Sequence, residues 1–321
     1  MAYNFADPPT QYAADAADRW AGDRKYAMAE HIRSPETPAD WVEIAYGPRR
    51  ADGRPVHLHV FQPDGSDVGD PRACILLIHG GGWAGGDPSF FHPAARYFAA
   101  RGVHAVCIQY RLLSPEDWVD VFDCVADCRA ALGYVRDQAA ALNIDPHRVA
   151  AMGDSAGGHL ALVLGYPDLL YQGTAAGGAA AADAVISYNP VADFETDNHG
   201  KTHVKGPDRL SISPCHMVAD TDGPLPAPTL LMHGAADTVC LVDQSQRYAA
   251  TAAARWPQTR PEQPGFCRYV ELPDTQHAFC LPNYSATPAM VATALQQAVV
   301  FLGELGHIEL SEAETQARAR L

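Results

Sequence analysis

Apolar residues gather into short, largely apolar runs at residues 74–78, 104–109, 148–152, 184–188, 228–232 and 267–272. Runs of this length, bounded by turn residues, read as strands buried on both faces, the pattern of a parallel sheet. Between them the period lengthens. Over residues 115–142, Trp118, Val121, Phe122, Val125, Leu132 and Val135 keep mostly three- or four-residue spacing, which predicts a helix with one face on the sheet. Its expected start has Ser114 as N-cap, Pro115 at the first helical position, and Glu116 and Asp117 in the first turn. Residues 159–164 and 287–302 read as further helices. Ahead of this alternation, residues 41–46 and 56–61 alternate apolar with polar and predict an antiparallel pair joined by a turn over 49–54. The expected class is therefore α/β: a mostly parallel central sheet with an antiparallel N-terminal strand pair and helices on both faces.

Three regions are expected. Residues 1–40 read as helices interrupted by prolines, and Trp20, Tyr26 and Met28 make this segment a candidate small cap. Residues 41–305 form the main domain, with a loose, small-residue connection at 175–182. Residues 306–321 form a charged tail expected to fray.

The chemistry concentrates in Gly153-Asp154-Ser155-Ala156-Gly157-Gly158. A G-x-S-x-G pentapeptide between a buried strand and a helix forces a sharp reversal. Its glycines are needed where side chains would strike neighbouring backbone. The serine then stands at a helix N-terminus, where developing negative charge is favoured. With 26 glycines and 11 serines in 321 residues, a chance match is expected only about 0.07 times. Upstream, His79-Gly80-Gly81-Gly82-Trp83 follows the 74–78 run. The amides of Gly81 and Gly82, with that of Ala156, could surround an oxyanion. A phosphate cradle is the rival reading of a glycine run, but no G-K-[ST] follows and no G-x-G-x-x-G opens a helix.

Serine needs a base, and the base needs an orienting carboxylate. Chain order narrows the choice: in sheet hydrolases the acid and then the histidine follow the serine. Asp237 lies in the loop after the 228–234 strand, 82 residues beyond Ser155. His277 lies in the loop after the 267–272 strand, 40 residues beyond Asp237. Both loops leave the carboxyl ends of strands, where open α/β sheets place ligands. Asp274 reads as a turn residue, His79 and His233 as holders of loop backbone, and His159 as a packing residue. Trp83 and Phe279 are candidates for the pocket mouth, with core packing as the alternative.

These residues, together with Tyr110-Arg111-Leu112, His233-Gly234-Ala235-Ala236-Asp237 and His277-Ala278-Phe279, make the chain resemble the α/β-hydrolase superfamily. More narrowly, it resembles the hormone-sensitive-lipase-like and bacterial acetyl-esterase carboxylesterases, over roughly residues 41–305. The resemblance implies Ser155, Asp237 and His277 as a triad, Gly81, Gly82 and Ala156 as oxyanion donors, and no cofactor. Two departures stand out: Ser114 interrupts the Tyr-Arg-Leu-Ala-Pro-Glu pattern of that group, and residues 189–225 are short for a large lid. A small lid suits the acetyl-xylan and feruloyl-esterase-like branch, which the chain also resembles. An arylformamidase-like amide hydrolase and a non-catalytic ligand receptor are the alternatives on this fold.

Composition trims the list of partners. Net charge is −15, and only three of the 23 basic residues are lysine, so no basic run exists to neutralise nucleic-acid phosphates. The expected partner is a small-molecule ester, and a homo-oligomer is compatible with the sequence. Residues 1–7 lack the basic and apolar regions of a secretory signal, and no apolar run is long enough to span a bilayer; a cytoplasmic location is the resulting expectation. Eight cysteines without a C-x-x-C pair point away from a disulfide scaffold or zinc site. Cys240 and Cys280 each follow a triad candidate by three positions; thiols rather than a bridge are expected there.

Overall fold

The computed structural model describes residues 40–49, 53–65, 69–114, 118–167, 181–196, 203–204, 207–255, 267–282 and 286–318. Most of the expected N-terminal cap and the 175–180 connection lie outside these residues.

Eight strands form one sheet: β1 (Val42–Arg49), β2 (Pro55–Phe61), β3 (Arg72–Ile78), β4 (His104–Ile108), β5 (Ile144–Asp154), β6 (Ala184–Tyr188), β7 (Thr229–Gly234) and β8 (Cys267–Leu272). Their spatial order is β1-β2-β4-β3-β5-β6-β7-β8. β2 is antiparallel to both β1 and β4, whereas every other pairing is parallel, so β2 alone runs against the rest. Between and after the strands come α1 (His92–Ala99), α2 (Val121–Asp137), α3 (Ala139–Leu142), α4 (Ser155–Leu164), α5 (Pro214–Ala219), α6 (Asp243–Arg255), α7 (Pro288–Glu304) and α8 (Glu312–Arg318). This mostly parallel sheet with flanking helices is the expected α/β-hydrolase fold.

Because successive strand residues point to opposite faces, the largely apolar runs supply two cores at once. Leu76 and Ile78 of β3, with Val149 and Ala151 of β5, face α2, α4 and α6. Ile75 and Leu77, with Ala150 and Met152, face α1 and α7. A polar substitution anywhere in these runs therefore reaches one core or the other.

Two local expectations are corrected. The helix expected from residue 115 begins at Val121, and its N-cap is Asp120, not Ser114. Asp120 accepts the Asp123 N–H while the Asp123 carboxylate accepts that of Asp120, a reciprocal cap that outcompetes the earlier start. Ser114 instead forms an antiparallel bridge with Val119, and Trp118, expected on the buried face, stands 91% exposed at φ +58°; Pro115, Glu116 and Asp117 lie outside the described residues. The charged tail does not simply fray: Ser311 and Glu314 cap α8, and Arg101 pairs with Glu314 at 3.3 Å.

Candidate active site

The strand order and direction place five loops at one edge of the sheet. They leave the carboxyl ends of β3, β5, β6, β7 and β8 and carry, in turn, the glycine run, Ser155, Asn189, Asp237 and His277.

The turn at Ser155 is built by exclusion. β5 ends at Asp154 and α4 begins at Ser155, whose φ is +53°, the left-handed region that a non-glycine residue enters at a cost. A Cβ on Gly157 would sit 2.0 Å from Ile78 O, and one on Gly153 would sit 2.3 Å from Gly157 O. Both contacts are with backbone, so neither position admits a side chain without moving strand against helix. The expected strand, sharp turn and helix are all present.

The glycine run packs against this turn. Gly80 N–H donates to Asp154 Oδ1 at 2.9 Å, and a Cβ on Gly80 would come within 3.1 Å of Ser155 Cβ. The Gly80 amide is thereby committed to the carboxylate, and Gly81 and Gly82 are the next two in line. Gly81 holds φ +115°, and a Cβ there would lie 2.5 Å from Gly85 O. Tyr110, two residues beyond β4, braces the base of the loop, with its hydroxyl donating to His79 O at 2.8 Å and its ring stacked 4.4 Å from the His79 imidazole. His79 holds loop backbone, as expected, through Nδ1 and Gly80 O.

Asp237 and His277 meet. His277 Nδ1 lies 2.6 Å from Asp237 Oδ2, so Nδ1 carries the proton and Nε2 is left basic. The Asp237 carboxylate is buried and accepts from four groups. Oδ1 takes the Val239 and Cys240 amides at 2.8 and 3.0 Å, and Oδ2 takes His277 and, at 3.2 Å, His233 Nε2. Burial acts to raise its pKa, but the hydrogen bonds from His233, His277 and Val239 overcome that and hold the carboxyl well below the usual range. The two loops are also joined by backbone: Ala236 N–H donates to Thr275 O at 3.0 Å, and Ala235 N–H to Leu272 O at 2.9 Å.

His277 also reaches toward the serine turn electrostatically. Asp154, the residue before Ser155, is fully buried; burial pushes its pKa up to about 6, while the neighbouring His277 imidazole and the Gly80 N–H pull it down.

His233 does more than the expected loop anchoring. Its Nδ1 accepts from the Ser245 hydroxyl at 2.7 Å while Nε2 faces both Cys240 O (2.8 Å) and the Asp237 carboxylate. Its position four residues before Asp237, at a strand end, was the only signal for this second imidazole. Asn189 was not singled out from sequence at all.

Trp83 and Phe279 are not brought together. Trp83 belongs to the core on one face of the sheet and Phe279 to the core on the other, both with almost no exposed surface. The Trp83 indole N–H donates to His159 Nδ1 at 3.2 Å, and His159 in turn donates from Nε2 to Ile212 O at 2.7 Å. Burial lowers the His159 pKa to about 4, so this imidazole packs as a neutral ring, as expected. Phe279 meets Tyr188 edge to face at 5.6 Å. Asp274 sits in a turn at φ +50°. None of the eight cysteines is disulfide-bonded. Among the described residues, no group of three or more His, Cys, Asp or Glu side chains is placed to hold a metal, and no helix is long and apolar enough to cross a membrane.

The BD-FAE family profile matches residues 58–251, well over half the chain. The chain belongs to the BD-FAE family. It is similar to the probable carboxylic ester hydrolase LipM of Mycobacterium tuberculosis, 28% identical over 284 residues, covering 82% of this chain and 61% of LipM. Carboxylesterase NlhH of the same organism is 37% identical over 114 residues, covering 33% of this chain and 34% of NlhH. The chain thus spans less than two thirds of the length of these curated relatives. Among solved structures, esterase 2 of Thermogutta terrifontis phosphoramylated by tabun aligns at a TM-score of 0.73 and 28% identity, over 87% of this chain and 100% of that one.

Proposed function

We propose that this protein is a serine carboxylesterase acting on short-chain or acetyl esters through an acyl-enzyme. The observation that carries the reading is the 2.6 Å contact between His277 Nδ1 and the four-donor carboxylate of Asp237, at the sheet edge where Ser155 stands on its strained turn. Family membership and the esterase relatives support it.

Each residue has a role its chemistry suits. Asp237 stays ionised and fixes the His277 tautomer, leaving Nε2 to take the Ser155 proton as Oγ attacks the ester carbonyl. The amides of Gly81, Gly82 and Ala156 receive the oxyanion. Losing one such donor typically raises the barrier by about 2.7–4 kcal/mol. The alcohol departs with the proton from His277, and water deprotonated by the same nitrogen releases the acid. Nothing in this sequence of steps requires a metal or organic cofactor.

Rates across p-nitrophenyl esters from acetate to decanoate, together with acetylated xylan, test the substrate class; the expected optimum lies at the short end. Ser155→Ala should lower turnover about 10⁶-fold. Hydrolysis at the wild-type rate in that variant ends the proposal. The neighbouring Thermogutta esterase is also known as an adduct with paraoxon, so stoichiometric labelling of this chain by paraoxon, abolished in Ser155→Ala, gives a readout independent of substrate choice.

A further inference from the structure

His277 is held on three sides, and the third hold comes from an unexpected strand. Its ring is fixed by Asp237, and the backbone before it is tied at Thr275 O to Ala236. The backbone after it is tied by Asn189, the first residue beyond β6, whose Oδ1 accepts the Ala278 N–H at 3.2 Å across 89 positions of chain. Asn189 has no exposed surface, and its own N–H is anchored to Met232 O at 2.8 Å. Ala278 holds φ +59° and Asn189 φ +37°. For alanine the left-handed region is sterically unfavourable, so something must over-determine that conformation.

We propose that Asn189 is a positioning residue for the base: its carboxamide oxygen holds the Ala278 amide, and through it the left-handed turn that aims the His277 ring. The proposal rests on His277 being the base of the ester hydrolysis above. Without the acceptor, Ala278 is free to relax toward right-handed backbone, and the peptide joining it to His277 rotates. A buried Ala278 N–H without a partner adds to that drive. Displacement of a reacting group by about 1 Å can lower turnover by about 10²-fold without touching ground-state binding.

A purely conformational role for Asn189 makes a different forecast, because asparagine also tolerates its own left-handed φ. Glycine keeps that tolerance and removes the acceptor. Aspartate keeps both the tolerance and the acceptor. It also forfeits no hydrogen bond, since Asn189 Nδ2 has no partner among the described residues.

The experiment measures kcat and KM for p-nitrophenyl acetate in Asn189→Gly, Asn189→Asp and Ser155→Ala, with thermal midpoints. The expected result is a 10- to 100-fold lower kcat in Asn189→Gly with KM within about twofold, and kcat in Asn189→Asp within about threefold of wild type. Should the glycine variant not fold, the aspartate variant decides alone: a kcat more than tenfold below wild type in folded Asn189→Asp overturns the positioning role. Wild-type kcat in a folded Asn189→Gly, or equal losses in the glycine and aspartate variants, overturns the positioning role. Activity surviving in Ser155→Ala instead overturns the reading of the site itself, so the two failures are separate.

Discussion

Two carboxylates lie buried at the same edge of the sheet, and they have been driven in opposite directions. Asp154 accepts the Gly80 N–H, and burial raises its pKa to about 6. Asp237 is also buried, yet two amides and two imidazoles converge on it and hold it well below the ordinary range. The difference shows that burial does not decide the charge of a carboxylate; the number of donors aimed at it does. A site that needs a permanent anion behind its base has to supply those donors, and the segment from His233 to Cys240 supplies three of the four.

Between the two carboxylates, the larger expected effect comes from removing the Asp237 anion while keeping its shape. Asp237→Asn presents an amide to His277 and permits the imidazole tautomer with its proton on Nε2, the nitrogen that must be basic. In serine triads this change lowers turnover about 10⁴-fold. The chain should remain folded, because Oδ1 can still accept the Val239 and Cys240 amides. A kcat for p-nitrophenyl acetate within tenfold of wild type would mean that Asp237 is not the orienter. The sign for stability also follows. A carboxyl with a depressed pKa contributes stability that is present above its unfolded value of about 3.8 and is lost as pH falls below it.

Asp154 should behave inversely. Its folded pKa of about 6 lies above the unfolded 3.8, so the neutral acid is favoured by folding. The penalty for ionising it appears as pH rises above about 4 and is complete above about 6. The gap corresponds to about 3 kcal/mol at most. Asp154→Asn removes this pH dependence while leaving an oxygen to accept the Gly80 N–H. The unfolding free energy of the variant relative to wild type should therefore rise between pH 4 and pH 7.5, measured by urea denaturation. A flat difference would show that Asp154 is not buried as an acid, and the contrast between the two carboxylates would dissolve.

How much of this was readable beforehand depended on what kind of signal each feature leaves. The elbow was legible because Gly153 and Gly157 are demanded by backbone collisions, and a steric demand writes itself as a residue type at fixed spacing. Asp237 and His277 were legible through chain order after Ser155. His233 was seen but undervalued: its second contact is with a carboxylate only four residues away, yet it depends on how the loop closes. Asn189 was invisible, since its partner Ala278 is remote in sequence and contributes only a main-chain N–H. The helix start was misplaced because Ser114-Pro115-Glu116 satisfies the rules for a helix N-terminus as well as Asp120 and Asp123 do. Only the pairing of Ser114 with Val119 decides between them.

The smallest expected effect separates the two imidazoles that share Asp237 Oδ2. His277 approaches at 2.6 Å and His233 at 3.2 Å, while His233 also has Cys240 O and Ser245 Oγ as partners. On the proposed mechanism the shorter bond orients the base, and the longer one helps keep the carboxylate charged and the loop closed. His233→Phe should therefore lower stability at pH 7 by about 1.5–3 kcal/mol, the usual value of a hydrogen bond to a charged group, while turnover falls less than tenfold. The deficit should shrink at acid pH, once the pH falls low enough to protonate Asp237 in the variant and the lost donor matters less. Ser245→Ala, which frees His233 Nδ1 but leaves Nε2 facing the carboxylate, should show a weaker version of the same pattern. If His233→Phe instead approaches the turnover loss of Asp237→Asn, both imidazoles act on the reacting proton, and the division between an orienting and a supporting histidine is wrong.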